Sequence, residues 1–314
     1  MTLVLVRLPN HIGDACMALP ALRLLAASGC TPALVGQPWA GELFAGEGWR
    51  FDPIEGRLLQ DFARVRALAA NLGPSPRGVL LPNSFGSALL FRAAGVRSAG
   101  LATDGRSVLL ESTIAEPEPM HEVERFWRVA CGALAAWNIA PAIAAVPAEL
   151  GLKLAARHVA AARRLIAEHQ LPSRFALLAP IATGLHHGRA KHWPEFAALV
   201  PALRERGIEP VAMPPANELE ASRAALPGAR ILPPASLGTY AALAARSTLV
   251  IANDSGVSHV AAAVGARQVT IFGVTAAGRT GPWNPRAVGV GRADAWPAPN
   301  EVIAALDQAL AIPA

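Results

Sequence analysis

The stretch TLVIANDSGVSHVAAAVGARQVTIFG, residues 248–273, decides the fold class. An apolar run, Thr248–Ala252, ends at Asn253, and the polar turn Asp254-Ser255-Gly256 follows. Val257–Val264 is rich in Ala and Val and reads as a short helix that Gly265 closes. A second apolar run, Gln268–Phe272, begins directly after it. Strand, turn, helix and strand in so short a span make a βαβ unit. Strands without polar alternation belong to a parallel sheet covered on both faces. In such a unit the turn after the first strand opens a helix, whose unpaired N–H groups and dipole form an anion site. Asp254 and Ser255 also suit a simple helix cap. His259 lies one turn in, on the side where it would face the same anion.

The same alternation extends in both directions. Upstream in the second half, helices are expected over 155–169, 194–206, 218–226 and 237–245. Strands are expected over 175–179, 210–213 and 230–232. The first half repeats the pattern, with strands over 3–8, 33–36, 78–81 and 99–101 and helices over 14–27, 61–72, 85–94 and 123–136. Pro141 to Pro147 reads as a linker between the two series. The expectation is therefore an α/β chain of two doubly wound, Rossmann-like domains, 1–145 and 146–314. Ligands in such domains gather at the carboxyl ends of the strands.

Composition agrees. The chain has 314 residues, 53% hydrophobic and 16% charged, enough to bury two ordinary cores and too apolar for disorder. No window approaches the run of roughly 18 to 20 uncharged apolar residues that a spanning helix needs. The opening MTLVLVRLPN lacks the basic leader and small-residue cleavage site of a signal peptide. Cys16, Cys30 and Cys131 form neither a CxxC nor a zinc spacing, and an odd count speaks against a disulfide framework, so a cytoplasmic location is expected. Charge is unevenly placed: residues 1–150 carry 12 Arg against 13 Asp and Glu, whereas residues 151–314 carry 16 basic against 10 acidic residues. With no Lys/Arg run and a single Tyr, the basic half fits a phosphate-bearing small molecule better than nucleic acid.

Two further stretches could carry chemistry. In VRLPNHIGDACMALPAL, residues 6–22, the first strand ends at Leu8 and Asp14 stands where a helix begins. It reads either as a cap for that helix or as a general base held at the ligand edge. In IATGLHHGRAKHWPEF, residues 181–196, Thr183, Gly184 and Lys191 follow a strand and suit a diphosphate. The alternatives there are a solvated basic loop and a histidine metal site, and the histidine spacing matches no established ligand set. The sequence contains no GxGxxG, no GxxxxGK[ST], no GxSxG and no Asp-x-Asp pair. That argues against a dinucleotide dehydrogenase, a P-loop NTPase, an α/β-hydrolase and a carboxylate-held metal on a sugar nucleotide.

Taken together, these segments resemble glycosyltransferase family 9, the ADP-heptose:lipopolysaccharide heptosyltransferases, and look most similar to the heptosyltransferase II type. The stretches that carry the resemblance are LVRLPNHIGDACMALPALRLL (5–25), LLPNSFGSALLFRAAGVRSAGLATDGR (80–106), MHEVERFW (120–127), KHWPEFAAL (191–199) and 251–283. The resemblance implies the GT-B fold, two Rossmann-like domains facing a central cleft, with the acceptor on the first and the nucleotide sugar on the second. It implies an inverting, metal-independent transfer of heptose from ADP-L-glycero-D-manno-heptose to the inner core of lipopolysaccharide. Asp14 matches the family's base, and Thr183, Gly184 and Lys191 match its diphosphate loop. Asp254, Ser255, Gly256, Val257 and His259 match its donor phosphate and sugar motif. Glu218 or Glu220 falls where the family holds ribose. Asn10, Arg64, Arg92, Arg97 and Arg106 are the candidates for an anionic acceptor. No metal and no cofactor beside the ADP-heptose co-substrate are expected. A monomer is expected, in peripheral contact with the inner membrane. Two other readings remain open: another nucleotide-sugar enzyme of the same fold, such as a 2-epimerase or a transferase of a different sugar, and a non-catalytic sugar-nucleotide binder.

Overall fold

Six strands that run in one direction organise the first half of the chain. In the computed structural model, which describes residues 2–116, 118–182, 185–186 and 188–313, they are β1 (Thr2–Arg7), β2 (Cys30–Gly36), β3 (Arg50–Pro53), β4 (Arg77–Leu80), β5 (Arg97–Leu101) and β6 (Ser112–Ile114). They form one parallel sheet in the order β3-β2-β1-β4-β5-β6. The second half builds β7 (Phe175–Ala179), a small antiparallel hairpin of β8 (Leu185–His186) and β9 (Arg189–Ala190), then β10 (Glu209–Ala212), β11 (Arg230–Ile231), β12 (Leu249–Asn253), β13 (Gln268–Phe272) and β14 (Ala287–Gly291). Its main sheet is again parallel, in the order β11-β10-β7-β12-β13-β14. With the hairpin set aside, both sheets have the doubly wound order 3-2-1-4-5-6. In each, the order reverses between the first and fourth strands, β1 and β4 in one, β7 and β12 in the other. A parallel sheet of this kind binds ligands in the crevice at the carboxyl ends of those two strands.

By contacts the chain divides into two units, one ending at Pro147 and one beginning at Ala148. Each has its own core. In the first, Leu5, Val35, Val65, Leu80 and Phe91 pack between the sheet and two helices, Leu58–Ala70 and Phe85–Ala93. Helix Leu58–Ala70 buries Asp61, Val65, Leu68 and Ala69, the spacing of a helix with one apolar face. In the second unit, Trp193, Phe196, Leu203, Val269, Ile271 and Leu306 form the core under helix Pro299–Ala311. Helix Leu237–Ala244 is apolar all round and buried from Gly238 to Ala244, as such composition requires.

The structure departs from the sequence-based pattern at the edges. β3, β6 and β14 were not expected. β3 (RFDP) and β6 (STI) are short and carry polar residues, and β14 (AVGVG) is apolar but holds two glycines, which weaken its strand signal; the β8–β9 hairpin lies in a stretch expected to be a loop. The single helix expected over 14–27 is two, Ile12–Met17 and Leu19–Ala27, meeting at Ala18. Pro20 has no N–H to continue the ladder from the first helix, and a proline in the first turn of the second is well tolerated. Among the described residues no helix is long and apolar enough to cross a membrane. Cys16 and Cys30 are buried free thiols, and Cys131 is a partly buried one.

Candidate active site

At the switch point of the first sheet, β1 runs on through Leu8, whose N–H donates to the Val35 carbonyl (2.9 Å), while the Leu81 N–H donates to the Arg7 carbonyl (3.3 Å). The chain then turns at Pro9 and Asn10, and the first helix starts at Ile12 with His11 as its N-cap. Asp14 therefore lies inside the first turn, half-exposed, and is not the cap residue; the His11 side chain makes no capping bond either. A carboxylate in that turn is favoured by the helix dipole and held at the carboxyl edge of the sheet.

A cation that sequence reading passed over orders this loop. Arg7, the last residue of β1, is only 5% exposed, and its guanidinium donates to the Leu8 carbonyl and to Asn10 Oδ1. Burial pulls its pKa down to about 10, partly opposed by the charge of Asp61. Asp61 in turn accepts from the N–H groups of Glu55 (3.0 Å) and Gly56 (2.9 Å), just beyond β3. The signal was present in the sequence: a lone arginine inside LVLVRL must find partners if its strand is central.

The acceptor candidates separate. Arg64 is half-buried and donates to the carbonyl of Pro53, the last residue of β3, so it stays at the same edge as Asp14. Arg106 lies at that edge too but is completely buried, donating to the carbonyls of Leu101 (2.8 Å) and Pro82 (2.6 Å). Arg106 is thus a tie between the ends of β4 and β5 and not a surface ligand, a correction to the sequence reading. Arg92 is exposed in the last turn of helix Phe85–Ala93, and Arg97 begins β5. Both therefore sit at the amino edge, away from Asp14. Arg97 is also held by both carboxylate oxygens of Glu111. Asn10 is exposed, with its carbonyl oxygen already taken by Arg7.

At the switch point of the second sheet, one side chain organises the edge. Asn253 ends β12 fully buried. Its amide donates to the Pro180 carbonyl beyond β7 (2.7 Å), and its oxygen accepts the N–H of Trp193 (2.8 Å). Trp193 is fixed further by its indole N–H on the Pro297 carbonyl (2.9 Å) and by an edge-on contact with Phe196. The segment that carries Lys191 is thereby anchored two residues downstream. Lys191 itself is half-exposed and forms no ion pair among the described residues. Arg189 in β9 donates to the Gly273 and Ala293 carbonyls, tying the hairpin to the ends of β13 and β14. Thr183 and Gly184 lie outside the described residues.

Helix Gly256–Ala263 opens directly after β12 with Ser255 as its N-cap. The Asp254 N–H is used by the Ile271 carbonyl (3.0 Å), whereas the N–H groups of Gly256 and Val257 are first-turn donors without an intrahelical acceptor. Ser255 Oγ is buried and has no hydrogen-bond partner, and neither has Thr275 Oγ1 beyond the adjacent β13. Asp254 and His259 are both buried, with Oδ1 and Nε2 3.8 Å apart. Unpaired N–H groups, two free hydroxyls and a nearby lysine suit a diphosphate.

The structure also separates the two glutamates. Glu218 follows β10 half-buried, and burial raises its pKa. Glu220 is exposed and paired with Arg223 (2.6 Å). Glu218 is thus the partly buried one of the two, and Glu220 faces solvent. Among the described residues no group of three or more His, Cys, Asp and Glu is placed to hold a metal ion.

Comparison with known proteins follows the fold. A glycosyl transferase family 9 structure from Veillonella parvula superposes with a TM-score of 0.83 at 17% identity, over 98% of this chain and 97% of that one. The E. coli ADP-heptose lps heptosyltransferase II gives 0.77 at 24% identity, over 98% of both chains. E. coli heptosyltransferase WaaC with ADP gives 0.78 at 20%, over 98% of this chain and 99% of that one. These likenesses establish the fold, two Rossmann-like domains of the GT-B class. A search of curated proteins finds no match. The model of glycosyltransferase family 9 (heptosyltransferase) matches residues 65–309, well over half of the sequence. The match takes in the Asn253–Gly256 turn, Lys191 and Glu218: the chain belongs to glycosyltransferase family 9 and is a glycosyltransferase.

Proposed function

We propose that this chain transfers heptose from ADP-L-glycero-D-manno-heptose to the inner core of lipopolysaccharide, with inversion and without a metal. The observation that carries the reading is the pair of switch points. One presents a half-exposed carboxylate, Asp14. The other presents first-turn N–H groups without an intrahelical acceptor, the Ser255 hydroxyl and a lysine that forms no ion pair among the described residues.

In this reading the first domain takes the acceptor and the second the nucleotide sugar. Asp14 removes the proton from the acceptor hydroxyl as its oxygen bonds to the anomeric carbon. The bond from that carbon to the β-phosphate oxygen breaks on the opposite face, so the centre inverts. ADP leaves with an added negative charge. Lys191 and the N–H groups of Gly256 and Val257 neutralise it, with Ser255 and, from the segment outside the described residues, Thr183 and Gly184 completing the diphosphate site. Asp254 meets the heptose hydroxyls, beside His259. Glu218, and not Glu220, accepts from the ribose. Arg64 and the Asn10 amide face an anionic acceptor such as a Kdo- or heptose-bearing lipid A at the inner membrane surface.

The support is family membership together with solved structures that the names of E. coli relatives connect to ADP and to ADP-heptose. A donor-charge argument agrees: the basic excess lies in the second half. The test is calorimetric titration with ADP, UDP and GDP, each with and without a chelator, followed by a transfer assay on Kdo-lipid A. ADP alone binding, unaffected by chelator, and product formed with inverted linkage is the expected result. A preference for UDP or GDP, or a metal requirement, overturns the proposal. A 2-epimerase would act on its nucleotide sugar with no acceptor present.

A further inference from the structure

The amino edge of the first sheet holds a cavity that the reaction above does not use. β1, β4 and β5 are neighbours and all begin there, with Thr2, Arg77 and Arg97. Helix Glu122–Ala136 ends at the same place with Trp137 as its C-cap. Between them lies a cavity of about 440 Å³, lined by Leu3, Ser75, Arg77, Arg97, Glu111 and Trp137 among others. That is the size range of a small-molecule site.

Arg77 is the unusual member. It is half-buried, its guanidinium carbon lies over the Trp137 ring 5.4 Å from the centroid, and it makes neither a side-chain hydrogen bond nor an ion pair among the described residues. Its positive charge is felt at Cys30, whose thiol burial raises and Arg77 partly pulls back. The nearest helix end does not occupy it. The carbonyls that close helix Glu122–Ala136 are taken by backbone N–H groups, Asn138 donating to Ala135 (3.0 Å) and Ile139 to Leu134 (2.9 Å). Arg97 is neutralised by Glu111, so the cavity keeps one net positive charge. A guanidinium placed over an indole and bonded to no protein oxygen among the described residues keeps its donor fork for a planar or tetrahedral oxyanion. Leu3, 40% exposed, and Trp137 offer apolar surface beside it.

We infer that this cavity binds a phosphate group carried on a small apolar body, held by Arg77 over Trp137, at the edge of the sheet opposite Asp14. The phosphate can come from a soluble phosphate ester or from an anionic lipid headgroup. Because it sits at the amino edge, its occupant does not compete with ligands at the carboxyl edge.

The test uses the full chain with ¹⁵N-labelled indoles. The seven tryptophans give seven indole signals, and Trp137→Phe identifies its own. Phenyl phosphate is titrated with and without ADP. The Trp137 signal is expected to shift to saturation in both cases. Arg77→Gln should weaken this binding at least ~10-fold, the scale of a charge-assisted pair of hydrogen bonds. Arg77→Lys, which keeps charge and stem but loses the fork, should give a smaller loss. Glu111→Gln should tighten binding by freeing Arg97. Sedimentation with phosphatidylglycerol and with phosphatidylcholine vesicles separates the sources. Retention on the anionic vesicles that Arg77→Gln abolishes assigns the lipid, and phenyl phosphate binding without retention assigns the soluble ester. A Trp137 signal that neither probe moves, or equal affinity in parent, Arg77→Gln and Arg77→Lys, overturns the inference.

Discussion

The two sheets share one strand order, and the loops at their switch points carry opposite chemistry. Beyond β1 the chain delivers an acid, with the cation that ends the strand, Arg7, buried and bonded to the loop itself. Beyond β7 and β12 it delivers donors: Lys191, the first-turn N–H groups of helix Gly256–Ala263, and the hydroxyl of Ser255. The scaffolds share one topology and the difference in chemistry lies in loop residues, as expected when function is grafted on a common fold. The means of anchoring differ as well. Arg7 fixes its loop by donating outward to neighbouring oxygens, while Asn253 uses both ends of its amide to join three segments. A neutral amide can do this without the desolvation cost that lowers the Arg7 pKa to about 10.

The sharpest way to break the comparison is Asp14→Asn. It keeps shape and removes the base, so transfer should fall at least ~100-fold, the usual scale for a general base. ADP affinity should not change, because ADP is assigned to the other switch point. Normal turnover in a folded Asp14→Asn protein would leave the acidic edge without a role. The mirror experiment is Lys191→Ala. Loss of a charged phosphate contact should weaken ADP binding by roughly 10- to 100-fold, and calorimetry reads it directly. Equal ADP affinity in the two proteins would remove Lys191 from the diphosphate.

Glu218 adds a pH dependence to the basic edge. Burial raises its pKa, so on acidification its carboxylate takes up a proton at a higher pH than an ordinary glutamate. A protonated Glu218 is a weaker acceptor for a ribose hydroxyl. ADP affinity should therefore begin to fall above the usual carboxylate range as pH drops, and Glu218→Gln should flatten that part of the profile. Glu220→Gln should not, since Glu220 is exposed and engaged with Arg223. A smaller effect is expected for Ser255→Ala: it removes one hydroxyl donor that brings no charge of its own to the diphosphate, roughly 2- to 10-fold in ADP affinity. That substitution should leave Tm near the parent's, because Ser255 Oγ has no partner within the protein to lose.

Much of this was legible before the fold. Central strands such as Leu249–Asn253 declare themselves as apolar runs, and the turns that follow them show where the polar groups go. Outer strands do not: Arg50–Pro53 mixes charged and apolar residues because it is partly solvated, and Ala287–Gly291 holds two glycines that read as a turn. The site was legible in the same uneven way. The turn positions, Asp14 and Asp254 to Val257, follow from the strand–turn–helix pattern. Asn253 and Arg7 were passed over, since a buried polar group is recognised only once its partners are in place. The arginines were the least legible. Four looked alike in sequence, yet Arg106 is buried between the ends of β4 and β5, Arg92 and Arg97 are at the amino edge, and Arg64 alone stays near Asp14's edge with a partly exposed side chain.

That separation gives the smallest and most selective contrast. Arg64 touches the end of β3 through the Pro53 carbonyl, so its charge is available to an anionic acceptor at the carboxyl edge. Arg92 stands a full helix length away, in the last turn of Phe85–Ala93, exposed to water. An exposed charge pair of the kind Arg64 would make is worth about 0.2–1 kcal/mol, so Arg64→Ala should raise the acceptor KM about 1.5- to 5-fold while kcat and ADP affinity hold. Arg92→Ala should change none of the three. If the two substitutions behave alike, the acidic edge does not read the acceptor's charge through Arg64, and the Asn10 amide is left as the polar group beside Asp14 to orient the reacting sugar.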